Sequence, residues 1–299
     1  MDCAGYRGRF APTPSGPLHF GSLVAALGSH LEARMAGGEW LVRIEDIDPP
    51  RVVAGAADDI LRTLEAFGFE WDGPVLYQSR RGAAYREAMD ALLRQDRVYP
   101  CTCSRKRLAA LARRGVDGPV YPGTCRARRP DHLLAALRLR VPEGRIVFED
   151  GLQGRIACEV AGECGDFVLR RADGVWSYQL AVVTDDAEQG ITHVVRGADL
   201  LASTPRQILL QRLLGLPTPA YLHLPVVLDP AGDKLSKQTL AEPLDARAPL
   251  PTLLAAWAFL GQKSPGGIDS LAEFWSMARA SWDRSRMPPV RGMRLGTHP

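Results

Sequence analysis

The first 70 residues alternate twice between a strand pattern and a helix pattern. The segment YRGRFAP, from Tyr6 to Pro12, predicts a short strand, and the following GSLVAALGSHLEARMAGG has the apolar spacing of a helix that ends at two glycines. EWLVRIEDID then predicts a buried strand, and GAADDILRTLEAFGF predicts a second amphipathic helix. Because this alternation is typical of βαβ units, the chain is expected to form an α/β fold around a parallel sheet.

The turn between the first strand and the first helix has an unusual composition. Its ten residues, PTPSGPLHFG (Pro12 to Gly21), hold three prolines, two glycines and one histidine. Prolines fix φ and glycines permit close approach, so the turn should keep one shape. It lies at the carboxyl edge of the predicted sheet, where ligands of open α/β folds bind. A Pro/Gly cluster alone is most often an ordinary turn, but these flanks favour a nucleotide site in which His19 donates to phosphate.

A second candidate phosphate-binding element is the loop GDKLSKQ, from Gly232 to Gln238. Its Lys234 and Lys237 flank a leucine and a serine. Two ammonium groups on a loop suit phosphoryl transfer, in which negative charge builds on non-bridging oxygens. The loop alone would more often be a solvated surface segment, so it supports a nucleotide site only together with the histidine turn.

The pattern changes between about residues 98 and 177, where the sequence predicts an inserted, more β-rich module. A short helix with Ser104 as its cap is followed by the strand-like segments RLRVP, RIVFEDGLQGRIACEV and DFVLRRADGVWSYQ. Alternation resumes with the strand ITHVVRG and the helix STPRQILLQRLLG. A mainly helical region follows Leu240, and the Pro/Arg-rich composition from Arg284 onward predicts a mobile tail.

Six cysteines raise the question of metal binding. Cys101, Cys103 and Cys125 fall within 25 positions. In a reducing compartment they make a poor disulfide framework, whereas three thiolates with one further ligand would form a tetrahedral structural zinc site. Buried free thiols remain the alternative. The other cysteines are interpreted as ordinary thiols: Cys3, Cys158 and Cys164.

Bulk properties narrow the class of protein. The 299 residues suit about two domains, and the net charge of +3 is compatible with a polyanionic partner without requiring one. No apolar run approaches the ~20 residues that span a bilayer, and the N-terminus has no apolar signal core. We therefore expect a cytoplasmic protein without membrane contact.

Four segments resemble the class I aminoacyl-tRNA synthetases. RFAPTPSGPLHFGS is similar to their first signature, and KLSK is similar to their second; LVRIEDIDPPR and VVRGADLLASTPRQ point to the glutamyl branch. The order fits over roughly residues 6 to 240. The resemblance implies a Rossmann-type parallel-sheet core at 1–98 and 178–222, an inserted zinc-bearing α/β module like the family's acceptor-binding insertion at 99–177, and a signature loop with a helical stem-contact-like region at 223–299.

The resemblance also implies an activity. In this family a glutamate carboxylate attacks the α-phosphorus of ATP, pyrophosphate leaves, and the aminoacyl-adenylate esterifies a hydroxyl of RNA. His19 and Lys237 would be the catalytic residues that stabilise the α-phosphate, while Mg²⁺ neutralises the leaving pyrophosphate. The ATP-binding residues would be His19, Gly21, Ser22, Lys234 and Lys237.

The glutamate site implied by the resemblance begins with the substrate loop Arg9, Phe10, Ala11, Pro12 and Thr13. Glu45 would receive the substrate ammonium, and Tyr178 and Arg196 would contact the side-chain carboxylate, for which a guanidinium is well suited. Outside these motifs Arg9, Glu45 and Arg196 would more often form surface ion pairs. The implied zinc ligands are Cys101, Cys103, Tyr121 and Cys125.

Within the glutamyl branch, two features separate the subfamilies. Only 62 residues follow Lys237, which is too few for the helical anticodon-binding domains of a conventional glutamyl-tRNA synthetase. KLSKQ and RGADL, with Ala198 and Leu200, also depart from the conventional enzymes. Both features resemble the stand-alone glutamyl-queuosine tRNA(Asp) synthetases.

That subfamily implies tRNA-independent activation of L-glutamate and its transfer to queuosine in the anticodon loop of tRNA(Asp). Its partners would be ATP, glutamate and the tRNA(Asp) anticodon stem-loop, and we expect a monomer. Three alternatives remain open: charging of the tRNA 3′ end, nucleotidyl transfer to a small metabolite, and a non-catalytic zinc- and RNA-binding module.

Overall fold

The computed structural model describes residues 5–115, 118–127, 135–229, 231–234 and 242–295. The helices in this part of the chain are α1 Phe20–Met35, α2 Ala56–Ala66, α3 Gly82–Arg94, α4 Arg105–Leu111, α5 Val160–Glu163, α6 Tyr178–Glu188, α7 Thr204–Leu214, α8 Pro249–Phe259 and α9 Leu271–Ser281. The strands are β1 Arg7–Phe10, β2 Glu39–Ile44, β3 Leu76–Tyr77, β4 Val98–Cys101, β5 Arg113–Gly115, β6 Gly118–Val120, β7 Ala136–Leu139, β8 Arg145–Asp150, β9 Gly154–Glu159, β10 Val168–Arg170, β11 His193–Gly197, β12 Ala220–Leu224, β13 Val226–Leu228 and β14 Gly292–Arg294.

Parallel strands form the centre of the fold. β2 pairs in parallel with β1 on one side and β3 on the other, and β11 pairs in parallel with β12. β1 lies beside the start of β11, where the Thr192 N–H donates to the Arg7 carbonyl at 3.0 Å. The expected βαβ alternation is therefore confirmed, and helix α1 packs against both β1 and β11.

A large apolar core lies between this sheet and the C-terminal helices. Trp40 of β2, Leu27 and Leu31 of α1, Trp257 of α8 and Phe274 of α9 are all fully buried in it. Burying side chains of this size stabilises a fold by about 2 to 3 kcal/mol each relative to exposure. The first helix is thus fixed from two sides, which holds the turn that precedes it.

Antiparallel strands occupy the segment where the sequence predicted a β-rich module. β4, β7 and β10 form one antiparallel sheet, and β8 and β9 form a hairpin. The Ser104 cap is confirmed, because its hydroxyl accepts the Arg107 N–H at 3.2 Å. The end of β8 nevertheless joins the core sheet, since Asp150 pairs with Tyr221 of β12. The antiparallel segment is therefore joined to the parallel core by strand pairing between β8 and β12.

The tail after Arg284 differs from its prediction. β14 pairs in parallel with β13, and Met287 is buried. The expectation of a mobile tail is wrong for residues 284–295, because an open strand edge supplies backbone hydrogen bonds whatever the tail's composition. Residues 296–299 lie outside the described part. None of the described helices combines the length and the apolar character needed to cross a lipid bilayer.

Candidate active site

The histidine turn is held rigidly against the end of β2. The Glu45 N–H donates to the Pro12 carbonyl at 3.0 Å, and the Val53 N–H donates to the Pro14 carbonyl at 2.9 Å. Gly16 has a φ of 133°, a conformation that only glycine adopts readily. These contacts carry the chain from β1 to the start of α1 in one shape, as the composition of the turn predicted.

His19 is the N-cap of α1, with its Nδ1 accepting the Gly21 N–H at 3.1 Å. Since Nδ1 acts as an acceptor, the neutral ring carries its hydrogen on Nε2. Nε2 is therefore a hydrogen-bond donor at the positive end of a helix, which is the arrangement that a phosphate oxygen prefers. Gly21 and Ser22 form the first turn of the same helix.

The structure describes the lysine loop only from Gly232 to Lys234, and the chain is described again from residue 242. The Lys234 ammonium forms an ion pair with Asp199 at 2.5 Å. The backbone of Lys234 forms an isolated antiparallel β-bridge with Leu228. Where the chain is described again, the backbone of Pro243 forms an isolated antiparallel β-bridge with that of His19. The Leu244 N–H donates to the Leu18 carbonyl at 3.0 Å. Lys237 lies outside the described residues, so its catalytic role stays a prediction.

A buried charge cluster lies below the turn. Arg9 donates through Nε to Asp186 at 3.1 Å, and Arg43 donates to the same carboxylate oxygen at 2.7 Å. Arg43 also reaches Glu45 at 3.4 Å. Burial opposes ionisation of Asp186, but the charges of Arg43 and Arg9 hold the pKa of Asp186 below its ordinary value. The cluster thereby fixes Arg9 and Glu45 at the ends of neighbouring strands.

The pKa of Glu45 shifts in the opposite direction to that of Asp186. Burial raises the pKa of Glu45, and the nearby charges of Arg43 and Arg9 do not fully offset that effect. A buried carboxyl with a raised pKa gains from an additional cation, so a substrate ammonium beside it would favour its ionised form. Glu45 also lines a cavity of about 130 Å³ together with Thr13 and Tyr178.

Arg196 places a positive charge beside Tyr178, which lines the same cavity as Glu45. Its guanidinium donates to the hydroxyl of Tyr178 at 3.2 Å and to four further neutral groups, on Leu200, Thr204, Gln207 and His223. Among the described residues it has no carboxylate within ion-pair distance, although it is buried. A buried cation with neutral neighbours favours an anionic ligand.

The structure gathers the predicted substrate residues around one phenol. Burial raises the pKa of Tyr178, and the charges of Arg196, Glu45 and Arg9 all act on it. Phe10 is different, because its ring stacks on Trp40 in the core with centroids 6.2 Å apart. Phe10 thus supports the loop from beneath, as its burial requires.

Sequence reasoning missed four buried residues that support this site from behind: Arg43 and Asp186, which contact Glu45 and Arg9, and His223 and Asp150, of which the first contacts Arg196 and the second contacts His223. Arg43 could have been found as a charged residue inside the apolar strand WLVRI. Asp186 stands in the segment SYQLAVVTDD, but nothing local indicates that it pairs with Arg9. His223 had no signal beyond being a lone histidine in a strand.

The cysteines form a separate cluster. The Sγ atoms of Cys101, Cys103 and Cys125 lie within 4.8 Å of one another. The Tyr121 hydroxyl is 3.4 Å from the Cys101 Sγ and 3.9 Å from the Cys103 Sγ, and the Cys103 and Cys125 Sγ atoms are 3.6 Å apart. Tetrahedral zinc with Zn–S bonds of 2.3 Å separates its sulfurs by roughly 3.8 Å, so these residues fit a zinc ion.

The fold and the site together define a class. A parallel Rossmann-like sheet, a histidine cap at its carboxyl edge and a buried carboxyl and a buried guanidinium near one phenol fit a class I synthetase catalytic core. Residues 6–247 match the family model for class I tRNA synthetases (E and Q), catalytic domain. A glutamate tRNA ligase from Elizabethkingia meningosepticum is similar in structure, with a TM-score of 0.78 and 26% identity, covering 98% of this chain and 67% of its own.

Curated relatives show to which family of class I synthetases the chain belongs. Proteins from Chromobacterium violaceum and Dechloromonas aromatica are each 59% identical to this chain, covering 96% and 95% of it and 97% and 96% of their own lengths. Both are named glutamyl-Q tRNA(Asp) synthetase. The chain belongs to this family of class I synthetases.

Proposed function

We propose that this protein activates L-glutamate with ATP in the absence of tRNA and transfers it to the queuosine base in the anticodon loop of tRNA(Asp). The single observation that carries the glutamate assignment is that Glu45 and Arg196 are both placed beside Tyr178, Glu45 through the cavity it shares with Tyr178 and Arg196 through its hydrogen bond to the phenol. Glu45 is a buried carboxyl that gains from a cation, and Arg196 is a buried guanidinium with neutral partners. An amino acid with a side-chain carboxylate satisfies both residues.

Activation is assigned to residues at the rim of this pocket. With its ammonium at Glu45 and its side-chain carboxylate at Arg196 and Tyr178, glutamate directs its α-carboxylate toward the histidine turn. A carboxylate oxygen bonds to the α-phosphorus while the bond to the bridging oxygen of pyrophosphate breaks. His19 donates from Nε2 to an α-phosphate oxygen, and Lys237 adds positive charge there. Mg²⁺ bound with ATP would supply positive charge for the leaving pyrophosphate.

Transfer needs no protein nucleophile. A hydroxyl of the queuosine cyclopentenediol attacks the acyl carbon of the adenylate, the ester bond forms, and AMP leaves with the bonding electron pair. The protein contributes positioning and charge stabilisation. Support for queuosine as the acceptor comes from the relatives named glutamyl-Q tRNA(Asp) synthetase, which match over nearly their whole length.

We further propose one structural zinc ion held by Cys101, Cys103, Tyr121 and Cys125. Its place in the antiparallel segment supports a role in folding that segment, because the ligand set leaves no open coordination position for chemistry. The assigned division of the chain is a catalytic core at 1–98 and 178–222, an inserted module at 99–177 and a C-terminal region at 223–299. We propose that the protein acts as a monomer.

Two measurements test the function. The first is glutamate-dependent ATP–pyrophosphate exchange without RNA. The second is transfer of labelled glutamate to four substrates: tRNA(Asp) with queuosine, the same tRNA without queuosine, queuosine-containing tRNA(Asp) lacking its 3′-terminal adenosine, and tRNA(Glu). We expect exchange without RNA and transfer only to the two queuosine-containing tRNAs.

The shortened tRNA separates the two acceptors, because it keeps the cyclopentenediol and loses the terminal ribose. An unmodified guanine offers no equivalent nucleophile, so rejection should be strong. Label on the 3′ end of tRNA(Glu), with none in the anticodon loop of tRNA(Asp), would establish conventional charging instead. Absence of exchange with a correctly folded protein would favour the nucleotidyl-transferase or non-catalytic alternatives.

A further inference from the structure

A buried hydrogen-bonded series runs from Asp150 through His223 to Arg196. The Nδ1 of His223 lies 2.6 Å from an Asp150 carboxylate oxygen, and its Nε2 accepts the Arg196 Nε–H at 3.1 Å. The side chains of Asp150 and His223 are completely buried. Neither residue reaches the substrate pocket described above, so their arrangement needs another explanation.

Asp150 determines which nitrogen of His223 is protonated. Its other oxygen accepts three backbone N–H groups, from Leu152, Gln153 and His223, at 2.9 to 3.1 Å. Burial opposes ionisation, yet these bonds and the one from His223 hold the pKa of Asp150 below its ordinary value. An ionised carboxylate only accepts, so Nδ1 must carry the hydrogen. Burial lowers the pKa of His223 to about 4, so the ring is neutral at pH 7 and Nε2 is an acceptor.

The His223 Nε2 acceptor orients the guanidinium of Arg196. Arg196 donates from Nε to His223 and from Nη2 to Thr204 and Gln207, at 2.9 and 2.8 Å, with the Leu200 carbonyl 3.5 Å from Nη2. Nη1 donates one hydrogen to the Tyr178 hydroxyl, and among the described residues its second hydrogen has no partner. The protein thus holds Nε, Nη2 and one hydrogen of Nη1, and within the described part of the chain the second Nη1 hydrogen is left for a ligand.

We propose that His223, held in its Nδ1-protonated tautomer by Asp150, is a positioning residue that aims Arg196 at the side-chain carboxylate of the substrate and thereby selects glutamate over glutamine. This inference rests on the proposed activation of glutamate. If Nε2 carried the hydrogen, it would face the Arg196 Nε–H donor to donor, and the guanidinium would turn away. A neutral amide substrate gains less from an aligned guanidinium than a carboxylate does.

The test is the isosteric Asp150→Asn variant. An asparagine amide in that place can donate to Nδ1, which moves the ring hydrogen to Nε2; the same logic makes Asp→Asn severe in catalytic triads. We expect the KM for glutamate to rise at least tenfold, the KM for ATP to change less than twofold, and the preference for glutamate over glutamine in kcat/KM to fall at least tenfold. Nitrogen-15 NMR of the histidine ring should show hydrogen on Nδ1 in the unaltered protein and on Nε2 in the variant.

A second pair of variants separates positioning from folding. His223→Gln keeps an acceptor near Arg196 that needs no tautomer control, so the Asp150→Asn/His223→Gln double variant should recover most of the glutamate KM lost in Asp150→Asn. His223→Leu should not recover it. Asp166→Asn is the matched control, since Asp166 is also a buried carboxylate but accepts from Tyr99 and the Val141 N–H, away from this pocket. It should leave glutamate activation within twofold.

The outcomes are distinguishable. Suppose that the unaltered protein shows glutamate-dependent ATP–pyrophosphate exchange and that Asp150→Asn keeps the KM for glutamate and the preference for glutamate over glutamine. This inference is then overturned, while the proposed function stands. Equal increases in both KM values, or no recovery in the double variant, also contradict it, because they indicate general loss of structure. Absence of glutamate-dependent exchange in the unaltered protein overturns the proposed function together with this inference.

Discussion

His19 performs two tasks with one ring. Helix N-caps are usually Ser, Thr, Asp or Asn, whose short side chains accept from the first turn. Here Nδ1 of His19 accepts the Gly21 N–H, and this places the ring hydrogen on Nε2. A serine or threonine cap would also satisfy the helix, but its hydroxyl sits on a shorter side chain than the imidazole Nε2. The longer side chain suits the phosphate contact proposed for His19.

Lys237→Ala is expected to lower adenylate formation at least tenfold while glutamate binding stays nearly unchanged. The lysine is assigned to charge that develops on the α-phosphate in the transition state, and losing such a contact lowers kcat more than affinity. ATP–pyrophosphate exchange and direct glutamate binding measure the two quantities. Lys263→Ala serves as the control because Lys263 is exposed in the C-terminal region. Weak glutamate binding with an unchanged kcat would show that the assignment is incorrect.

At the scale of elements, the C-terminal tail is joined to the catalytic half of the chain. β14 pairs with β13, the strand that leads into the lysine loop. Gln153 links the hairpin turn of β8 and β9 to both neighbours, donating to the His223 carbonyl at 3.0 Å and to the Val290 carbonyl at 3.1 Å. The antiparallel segment, the sheet and the tail therefore meet beside Arg196 and its partners.

The antiparallel segment should depend on its metal. We expect one zinc ion per chain, and structural zinc in small modules can contribute on the order of 10 kcal/mol to local folding. Chelation should therefore loosen this segment and impair transfer to RNA more than adenylate formation. Metal analysis of freshly purified protein measures the zinc, and the two half-reactions measured before and after chelation give its effect.

Two serine variants locate the zinc. Cys125→Ser should lose it, whereas Cys164→Ser should retain it, because Cys164 is not in the cluster of sulfurs. Zinc retained in Cys125→Ser, or absent from the unaltered protein, would contradict the ligand assignment.

For the whole molecule, buried histidines make stability depend on pH. Burial, with the charge of Arg34, lowers the pKa of His30 to about 3, and burial lowers that of His223 to about 4. An unfolded histidine titrates near 6.5, so below that pH the unfolded chain binds protons that the folded chain does not. The free energy of unfolding should thus fall as pH decreases from about 6.5 toward 4, by up to about 1.4 kcal/mol per pH unit for each histidine.

Urea unfolding at pH 7.5, 6.5 and 5.5 measures this slope. His30→Gln should reduce it by about half, and it should not alter the KM for glutamate because His30 lies among Trp40, Phe69 and Trp275 in the core. Stability that is constant between pH 7.5 and 5.5 would show that these two histidines are not protonated differently in the folded and unfolded states.

The sequence by itself determined what depends on neighbours along the chain. The alternation of apolar spacings predicted the parallel α/β core, and the composition of the turn predicted a rigid entry to α1. The spacing of Cys101, Cys103 and Cys125 also predicted their cluster, since a short helix and a hairpin return the chain from Cys103 to Cys125. Each of these features is produced by local backbone preference or by spacing within a few turns.

Only the tertiary structure decided how the charges pair. Arg9 meets Asp186 across 177 positions, and His223 meets Asp150 across 73. Nothing in the residues adjacent to Arg9 or Arg196 says that the first is neutralised by a carboxylate and the second has only neutral partners. The packing of helix α6 against the sheet brings Asp186 to Arg9, and the sheet itself brings His223 of β12 to Arg196 of β11. Burial then makes the difference between the two arginines large, since an unpaired charge away from water has few ways to be stabilised except by a ligand.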